Sequence, residues 1–208
     1  TADDTVGEDL TKLFNKLSGF SATSEYESII TSPVGIREGL TAKIQREAEI
    51  ARSGKPGRIR LKMNSLVDEQ IIDELYLASQ AGVKIEVVVR GMCALIPGVE
   101  GLSENIKVRS ILGRYLEHSR IFAFDNDGDP EIYIGSADMM HRNLDRRVEV
   151  IVRLGQADHI NELHQVFDLA MSDEISAWDL NADSQWIRTT SGPSGQLADY
   201  QDMLMQRT

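Results

Sequence analysis

One segment near the middle of the chain contains the residues best suited to chemistry at a phosphate group. His118 and Arg120 stand two positions apart at the start of an apolar run, and Gly135-Ser136 and Asp138 follow after a turn. A histidine can attack phosphorus or protonate a leaving oxygen. An arginine beside it can hold phosphate oxygens in a fork, and a Gly-Ser step can add backbone N–H groups and a hydroxyl. The grouping therefore predicts covalent or acid–base chemistry at a phosphate.

Two carboxylates and an asparagine are candidates to support this site. Asp138 and Glu149 could orient the imidazole of His118 through its second ring nitrogen and so fix its tautomer. Asn64 closes a predicted strand, where an asparagine is more typical of a turn than of a ligand. A histidine next to a salt-bridged arginine also has a purely structural interpretation, and a short motif alone does not exclude it.

Other cations could extend the phosphate site. Arg90 ends a predicted parallel strand and is followed by glycine, a position where α/β sheets bind ligands. Arg60 and Lys62 share the polar face of the first predicted strand, and they either snorkel at an edge or line a tunnel for an anionic polymer. A further group could bind phosphate, although pairing with Asp145 and Glu149 is the favoured interpretation for each of its members. That group is Arg142, Arg146 and Arg147.

The overall composition limits the function classes. The formal net charge of −11 over 208 residues argues against a general nucleic-acid coat, whereas the local concentration of arginine indicates a bound anion, with phosphate the leading candidate. One cysteine, Cys93, excludes an internal disulfide framework and fits a reducing compartment. No apolar run approaches the length of a membrane span, and no signal peptide is evident. We therefore expect a cytoplasmic protein without an integral membrane segment, although peripheral membrane association stays open.

The elements that must position these residues can be read from the hydrophobic periodicity. A strand at 58–64, a helix opened by Ser65-x-x-Asp68 and a strand at 83–89 form a parallel crossover unit. Other helices are predicted near 10–18, 33–52, 158–171 and 197–205, and other strands at 106–112, 120–124, 131–135 and 147–154. The predicted class is α/β with a mixed sheet.

The central motif resembles the signature of the phospholipase D superfamily. His118-x-Arg120 followed by Asp125, and then Gly-Ser-x-Asp138, is similar to His-x-Lys-x-x-x-x-Asp and Gly-Ser-x-Asn. Arg120 replaces the lysine and Asp138 replaces the asparagine. Members of that superfamily use two such histidines, and this chain contains one set. The resemblance implies a phospholipase D-like mixed β-sheet flanked by helices.

A longer resemblance is more specific and covers roughly residues 5–175. Five blocks are similar to the C-terminal region of polyphosphate kinases of the first type: 60–68, 75–83, 89–98, 113–120 and 133–149. The resemblance implies that residues 1–28 are the end of a preceding catalytic domain and that 29–208 are the C-terminal phospholipase D-like catalytic domain.

The same resemblance implies a function and its partners. That family makes polyphosphate reversibly from ATP through a phosphohistidine, with Mg²⁺, and its phosphate-accepting histidine would lie in an upstream domain together with most Mg²⁺ ligands. His118 would be the second catalytic histidine, an acid/base group, and Arg90 would bind nucleotide phosphate. ATP, ADP and polyphosphate would be the ligands, nucleic acid would not be one, and the intact enzyme would be a homo-oligomer.

Two other functions stay open at this point. One is a phosphodiesterase or phosphatidyltransferase of the phospholipase D type that pairs two copies of His118 in a dimer. The other is a non-catalytic polyphosphate-binding module.

Overall fold

The structure, a computed structural model, describes residues 2–21 and 25–207. Over these residues the chain forms five α-helices, a nine-stranded sheet, one 3₁₀ turn (Asn126–Gly128) and one π-helical turn (Arg142–Arg146). The helices are α1 (Asp4–Leu17), α2 (Ile36–Arg52), α3 (Glu69–Gln80), α4 (Ala157–Ala170) and α5 (Tyr200–Met205). The strands are β1 (Ile29–Thr31), β2 (Arg58–Met63), β3 (Lys84–Val89), β4 (Ile106–Ser110), β5 (Ile121–Phe124), β6 (Glu131–Gly135), β7 (Val150–Arg153), β8 (Trp178–Leu180) and β9 (Trp186–Arg188).

The sheet is mixed, as the sequence predicts, and its strand order is β1-β7-β6-β5-β2-β3-β4-β8-β9. β2, β3 and β4 are parallel in the centre. β5, β6 and β7 extend one side by antiparallel pairing, with β5 against β2 and β6 joined to β5 as a hairpin. Because β5 and β7 run opposite to β2 and β6, the carboxyl ends of β2, β3 and β6 meet the amino ends of β5 and β7 at one edge.

Hydrophobic layers cover both faces of the sheet. On one face, Ile59, Leu61 and Phe122 pack with the buried sides of α2 and α3. On the other face, Ile121 and Phe167 belong to a smaller cluster beneath α4, and a third cluster beside it includes residues of α5. The apolar residues that recur at helical spacing along α2 and α3 are buried (Ile36, Leu40, Ile44, Ala48, Ile71, Ile72, Leu75 and Ala78).

The start of α3 differs from the prediction. Asp68, not Ser65, is the residue that caps the helix, since its carboxylate accepts a hydrogen bond from the backbone N–H of Ile71 at 3.1 Å. This is the usual role of an aspartate at a helix N-terminus. Asp68 also pairs with Arg37 of α2, so the same carboxylate fixes both the start of α3 and its neighbour.

Three short strands were not predicted. β1, β8 and β9 have three residues each, too few for a period of two to be recognised. The predicted division between residues 28 and 29 stays a prediction, and the N-terminal segment 1–28 includes residues 1 and 22–24, which lie outside the described residues. Within the described part of the chain, no helix combines the length and apolarity needed to cross a membrane.

Candidate active site

The sheet edge formed by the ends of β2, β3 and β6 and the starts of β5 and β7 carries most of the predicted site. Asn64 follows β2, Arg90 follows β3, and His118 lies in the loop that leads into β5. Ser136 follows β6 and Glu149 precedes β7. The register fixes this arrangement, because Lys62 pairs with Ile121, Ile121 with Ile134, and Gly135 with Ile151.

A pocket of about 460 Å³ opens at this edge. His118 lines it and is exposed, whereas Asn64 and Asp138 are buried at its base. The predicted site residues that line this pocket are Asn64, Arg90, His118, Arg120, Ser136, Asp138 and Glu149. The imidazole of His118 is therefore open to a ligand above a polar base.

Arg120 connects His118 to the base of the pocket. Its two terminal nitrogens lie 3.2 Å and 3.4 Å from the two ring nitrogens of His118, and one of them donates to the His118 carbonyl at 3.2 Å. The other donates to the carboxylate of Asp138 at 2.9 Å. The guanidinium thus places a fixed positive charge against the ring, where phosphate oxygens would also be attracted.

Asp138 is the anchor of this network. Its carboxylate accepts hydrogen bonds from the backbone N–H of Asn64 at 2.7 Å, from that of Ser65 at 3.3 Å and from the Asn64 amide at 3.2 Å. Asn64 in turn accepts a hydrogen bond from Arg90 at 3.1 Å. Burial alone would raise the pKa of Asp138, but the hydrogen bonds from Arg120 and Asn64 outweigh it and leave that pKa below its ordinary value. The carboxylate stays charged and holds both arginines in place.

Asp138 and Glu149 do not hydrogen-bond to the imidazole of His118, as the sequence had suggested they would. Asp138 reaches His118 only through Arg120, and Glu149 instead accepts hydrogen bonds from the Ser136 hydroxyl and from Asn143. Within the described residues, the ring nitrogens of His118 have Arg120 as their hydrogen-bonding neighbour. The expectation that Asp138 or Glu149 orients the imidazole directly is therefore wrong, because each carboxylate is already committed to donors at the base.

Gly135 also has a different role from the one expected. Its backbone N–H donates to the Arg120 carbonyl at 3.3 Å, and that of Ser136 donates to the Val150 carbonyl at 3.0 Å. A Cβ at position 135 would lie 2.1 Å from the Val150 carbonyl oxygen. Glycine is required here because β6 and β7 approach closely, and the two N–H groups are occupied within the sheet, so they offer no cradle to a phosphate.

Arg60 and Lys62 are not brought into the pocket. Both are buried, with side chains 3% exposed. Arg60 donates to Glu86 at 2.8 Å and also pairs with Asp168 on the far side of the sheet. Lys62 donates to Glu117 at 2.7 Å. Because β2 is central and covered on both faces, each of its two cations is neutralised by a carboxylate and neither lines the pocket at this edge.

Two arginines that the sequence favoured as paired residues line the pocket instead. Arg142 and Arg147 are exposed at its wall, and within residues 2–21 and 25–207 neither has an acidic partner. Asp145 is taken by Arg37 and His141, and Glu149 by Ser136 and Asn143. The pairing expected for these arginines is wrong, and the clustering of arginine in the sequence was the signal that indicated them.

The carboxylates at this edge do not suit Mg²⁺, which prefers an octahedron of oxygen ligands. Asp138 already accepts four hydrogen bonds, and each oxygen of Glu149 accepts one from Ser136 or Asn143. A second group, the buried Asp68 with the exposed Glu69 and His141, places ligand atoms within 4.8 Å of one another, but Arg37 already binds Asp68 through two nitrogens. Neither of these two groups therefore presents a set of free oxygen ligands that fits Mg²⁺.

Comparison with known proteins shows which family the chain resembles. Residues 29–199 match the family model described as polyphosphate kinase C-terminal domain 2. The chain is 50% identical over 206 residues to a polyphosphate kinase of Streptomyces coelicolor, covering 99% of the chain and 28% of that protein.

The chain belongs to the polyphosphate kinase family.

The likeness of this polyphosphate kinase family member to solved structures extends to the whole described fold. The polyphosphate kinase of Porphyromonas gingivalis superposes with a TM-score of 0.93 at 33% identity, covering 100% of this chain and 32% of that one. A phospholipase D family member, Nuc from Salmonella typhimurium, superposes with a TM-score of 0.50 at 16% identity over 68% of this chain and 91% of its own. The fold is therefore phospholipase D-like, as the sequence predicted, and the chain spans 28% of the length of the curated relative described above.

Proposed function

We propose that this chain forms the phosphate-binding and acid/base part of a polyphosphate kinase active site. The observation that carries the proposal is the pocket in which an exposed His118 stands among Arg90, Arg120, Arg142 and Arg147. Arg120 and Arg90 are aligned by Asp138 and Asn64, and the other two arginines have no acidic partner among the described residues. Such a set of guanidinium groups is suited to the oxygens of ATP and of a polyphosphate chain.

The reaction would be the reversible transfer of the terminal phosphoryl group of ATP to polyphosphate. In the forward direction, the bond between the γ-phosphorus and its bridging oxygen breaks, and a bond forms to a histidine that lies outside these residues. His118 would protonate the oxygen that leaves with ADP and take the proton back in the reverse direction. The arginines would neutralise the charge that develops on the phosphoryl oxygens. Mg²⁺ would be held by ligands outside this chain.

The experiment that tests the proposal is the replacement His118→Ala in the intact polyphosphate kinase that contains this chain. We expect polymer synthesis and ATP formation from polymer to fall together by about a hundredfold to ten-thousandfold, since the loss of a general acid removes catalysis in both directions. Circular dichroism should be unchanged because His118 is exposed. His159→Ala, at an exposed histidine of α4, is the matched control and should retain turnover. Near wild-type turnover in the His118 variant would contradict the proposal.

A further inference from the structure

The loop that carries His118 is held mainly by side chains of residues outside the loop. Residues 111–120 connect β4 to β5 without regular secondary structure. Within the described residues, hydrogen bonds to the backbone of 112–119 come from two side chains, those of Gln201 and Arg120. A loop of this length with so few bonds is expected to move unless side chains fix it.

Gln201 of α5 binds this loop on its inner side. Its carbonyl oxygen accepts from the Tyr115 N–H at 2.8 Å, and its amide nitrogen donates to the Tyr115 carbonyl at 2.8 Å and to the Glu117 carboxylate at 2.7 Å. The side chain is buried. A Cβ at Gly113 would lie 2.4 Å from the Gln201 carbonyl oxygen, so the loop passes directly over this amide.

Lys62, a residue of the sheet, also binds the loop that carries His118. Its ammonium group donates to the Glu117 carboxylate and to the Ser119 hydroxyl, each at 2.7 Å. These two residues stand on either side of His118 in the sequence. Lys62 belongs to β2, which is paired on both sides, with β3 and with β5, so the ammonium is a rigid point of attachment.

We propose that Lys62, Glu117 and Gln201 are positioning residues that hold His118 in the geometry its chemistry needs. The inference rests on the proposed acid/base role of His118. It gives the buried Lys62 a role other than phosphate binding, and it makes α5 a part of the active site although no residue of α5 lines the pocket. A small displacement of a catalytic group costs far more in rate than in binding, so the network acts on turnover.

Gln201→Met in the intact enzyme tests the inference, because it keeps the size of the side chain and removes all three hydrogen bonds. We expect kcat to fall about tenfold to a hundredfold, with KM for ATP nearly unchanged. Lys62→Met, which keeps the aliphatic stem, should give the same split. Gln80→Ala is the matched control, since Gln80 also donates to a backbone carbonyl, that of Gly101 at 2.9 Å, but away from the site. Its kcat should equal that of the wild type.

Two further measurements separate positioning from a general loss of structure. Hydrogen exchange of the segment 113–119 should be faster in Gln201→Met, while exchange in α2 and α3 should be unchanged. In a His118→Ala background, Gln201→Met should cause no further loss of the residual rate, since the network acts through His118. The inference would be overturned if kcat were unchanged in Gln201→Met and Lys62→Met. It would also be overturned if Gln201→Met lowered the residual rate of His118→Ala by the same factor as it lowers the rate of the wild type. The proposed function would still stand if His118→Ala alone abolished turnover.

Discussion

At the scale of single residues, one buried carboxylate organises the site. Asp138 binds Arg120 and both the backbone and the side chain of Asn64, and through them it sets the positions of His118 and Arg90. An asparagine at this position, as in the phospholipase D signature, would be neutral. The aspartate of this chain supplies a counter-charge to Arg120 at the base of the pocket.

Asp138→Asn is expected to destabilise the chain by about 2 to 4 kcal/mol, since it leaves Arg120 without a counter-charge. The new amide would also point N–H groups toward the donors of Arg120 or Asn64. Urea unfolding followed by circular dichroism measures this change. Asp183→Asn, at an exposed position, is the control and should leave the midpoint unchanged. An equal midpoint for wild type and Asp138→Asn would show that the pairing is not a source of stability.

At the scale of elements, Glu131 attaches α2 to the sheet. This β6 carboxylate accepts hydrogen bonds from Lys43 at 2.9 Å and from Arg46 at 3.2 Å, both on α2. Tyr133 also donates to it at 3.2 Å, and the Lys43 ammonium lies 4.9 Å from the centre of the Tyr133 ring. Burial raises the pKa of Glu131, but the hydrogen bonds from Lys43 and Arg46 prevail and lower it to about 2.

This pairing should appear as a dependence of stability on pH. Folding lowers the pKa of the Glu131 carboxyl. Between the ordinary pKa of a glutamate and about pH 2, the unfolded state therefore binds more protons than the folded state. The stabilisation is therefore complete above the ordinary pKa and is lost as pH falls toward 2. In Glu131→Gln we expect a loss on the order of 1 to 3 kcal/mol at pH 7 that shrinks through this window.

Thermal unfolding of wild type and Glu131→Gln at several pH values between 7 and about 3 measures the difference. Glu100→Gln, at an exposed loop position, provides the comparison for loss of a carboxylate that holds no helix. Parallel curves for wild type and Glu131→Gln over the whole range would refute the role of Glu131.

At the scale of the whole molecule, the sheet separates cations that serve structure from cations that can meet a ligand. The central strand carries its cations inward against carboxylates, and the edge above it presents arginines to solvent. On the proposed function, this arrangement would let a chain with a net charge of −11 bind a polyanion at one place.

Two results follow for the 208-residue chain by itself. It should not convert ATP to polymer, since the proposed phosphate-accepting histidine lies outside it. It should, however, bind polyphosphate with an affinity that falls as salt rises. Titration of labelled polyphosphate at several salt concentrations measures this affinity. Robust synthesis by the chain alone would place the acceptor histidine within these residues.

The double substitution Arg142→Gln with Arg147→Gln should weaken this binding and flatten its dependence on salt. Arg52→Gln with Lys107→Gln removes the same charge from exposed positions toward the opposite edge of the sheet and is the control. Equal losses in the two double variants would mean that polyphosphate responds to overall charge and not to the pocket.

The sequence by itself determined the class of the fold, the main helices and strands, and the motif around His118. Hydrophobic periodicity is a local property, so α2, β2 and β3 were predicted close to their observed bounds, while three-residue strands such as β1 were too short to be recognised. Only the tertiary structure decided which cations are available. Lys62 is neutralised by Glu117, which lies 55 residues away along the chain. Arg60 pairs with Asp168, which lies 108 residues away. A charge pair forms where two atoms approach within a few ångströms, and that proximity comes from the packing of the sheet and its helices.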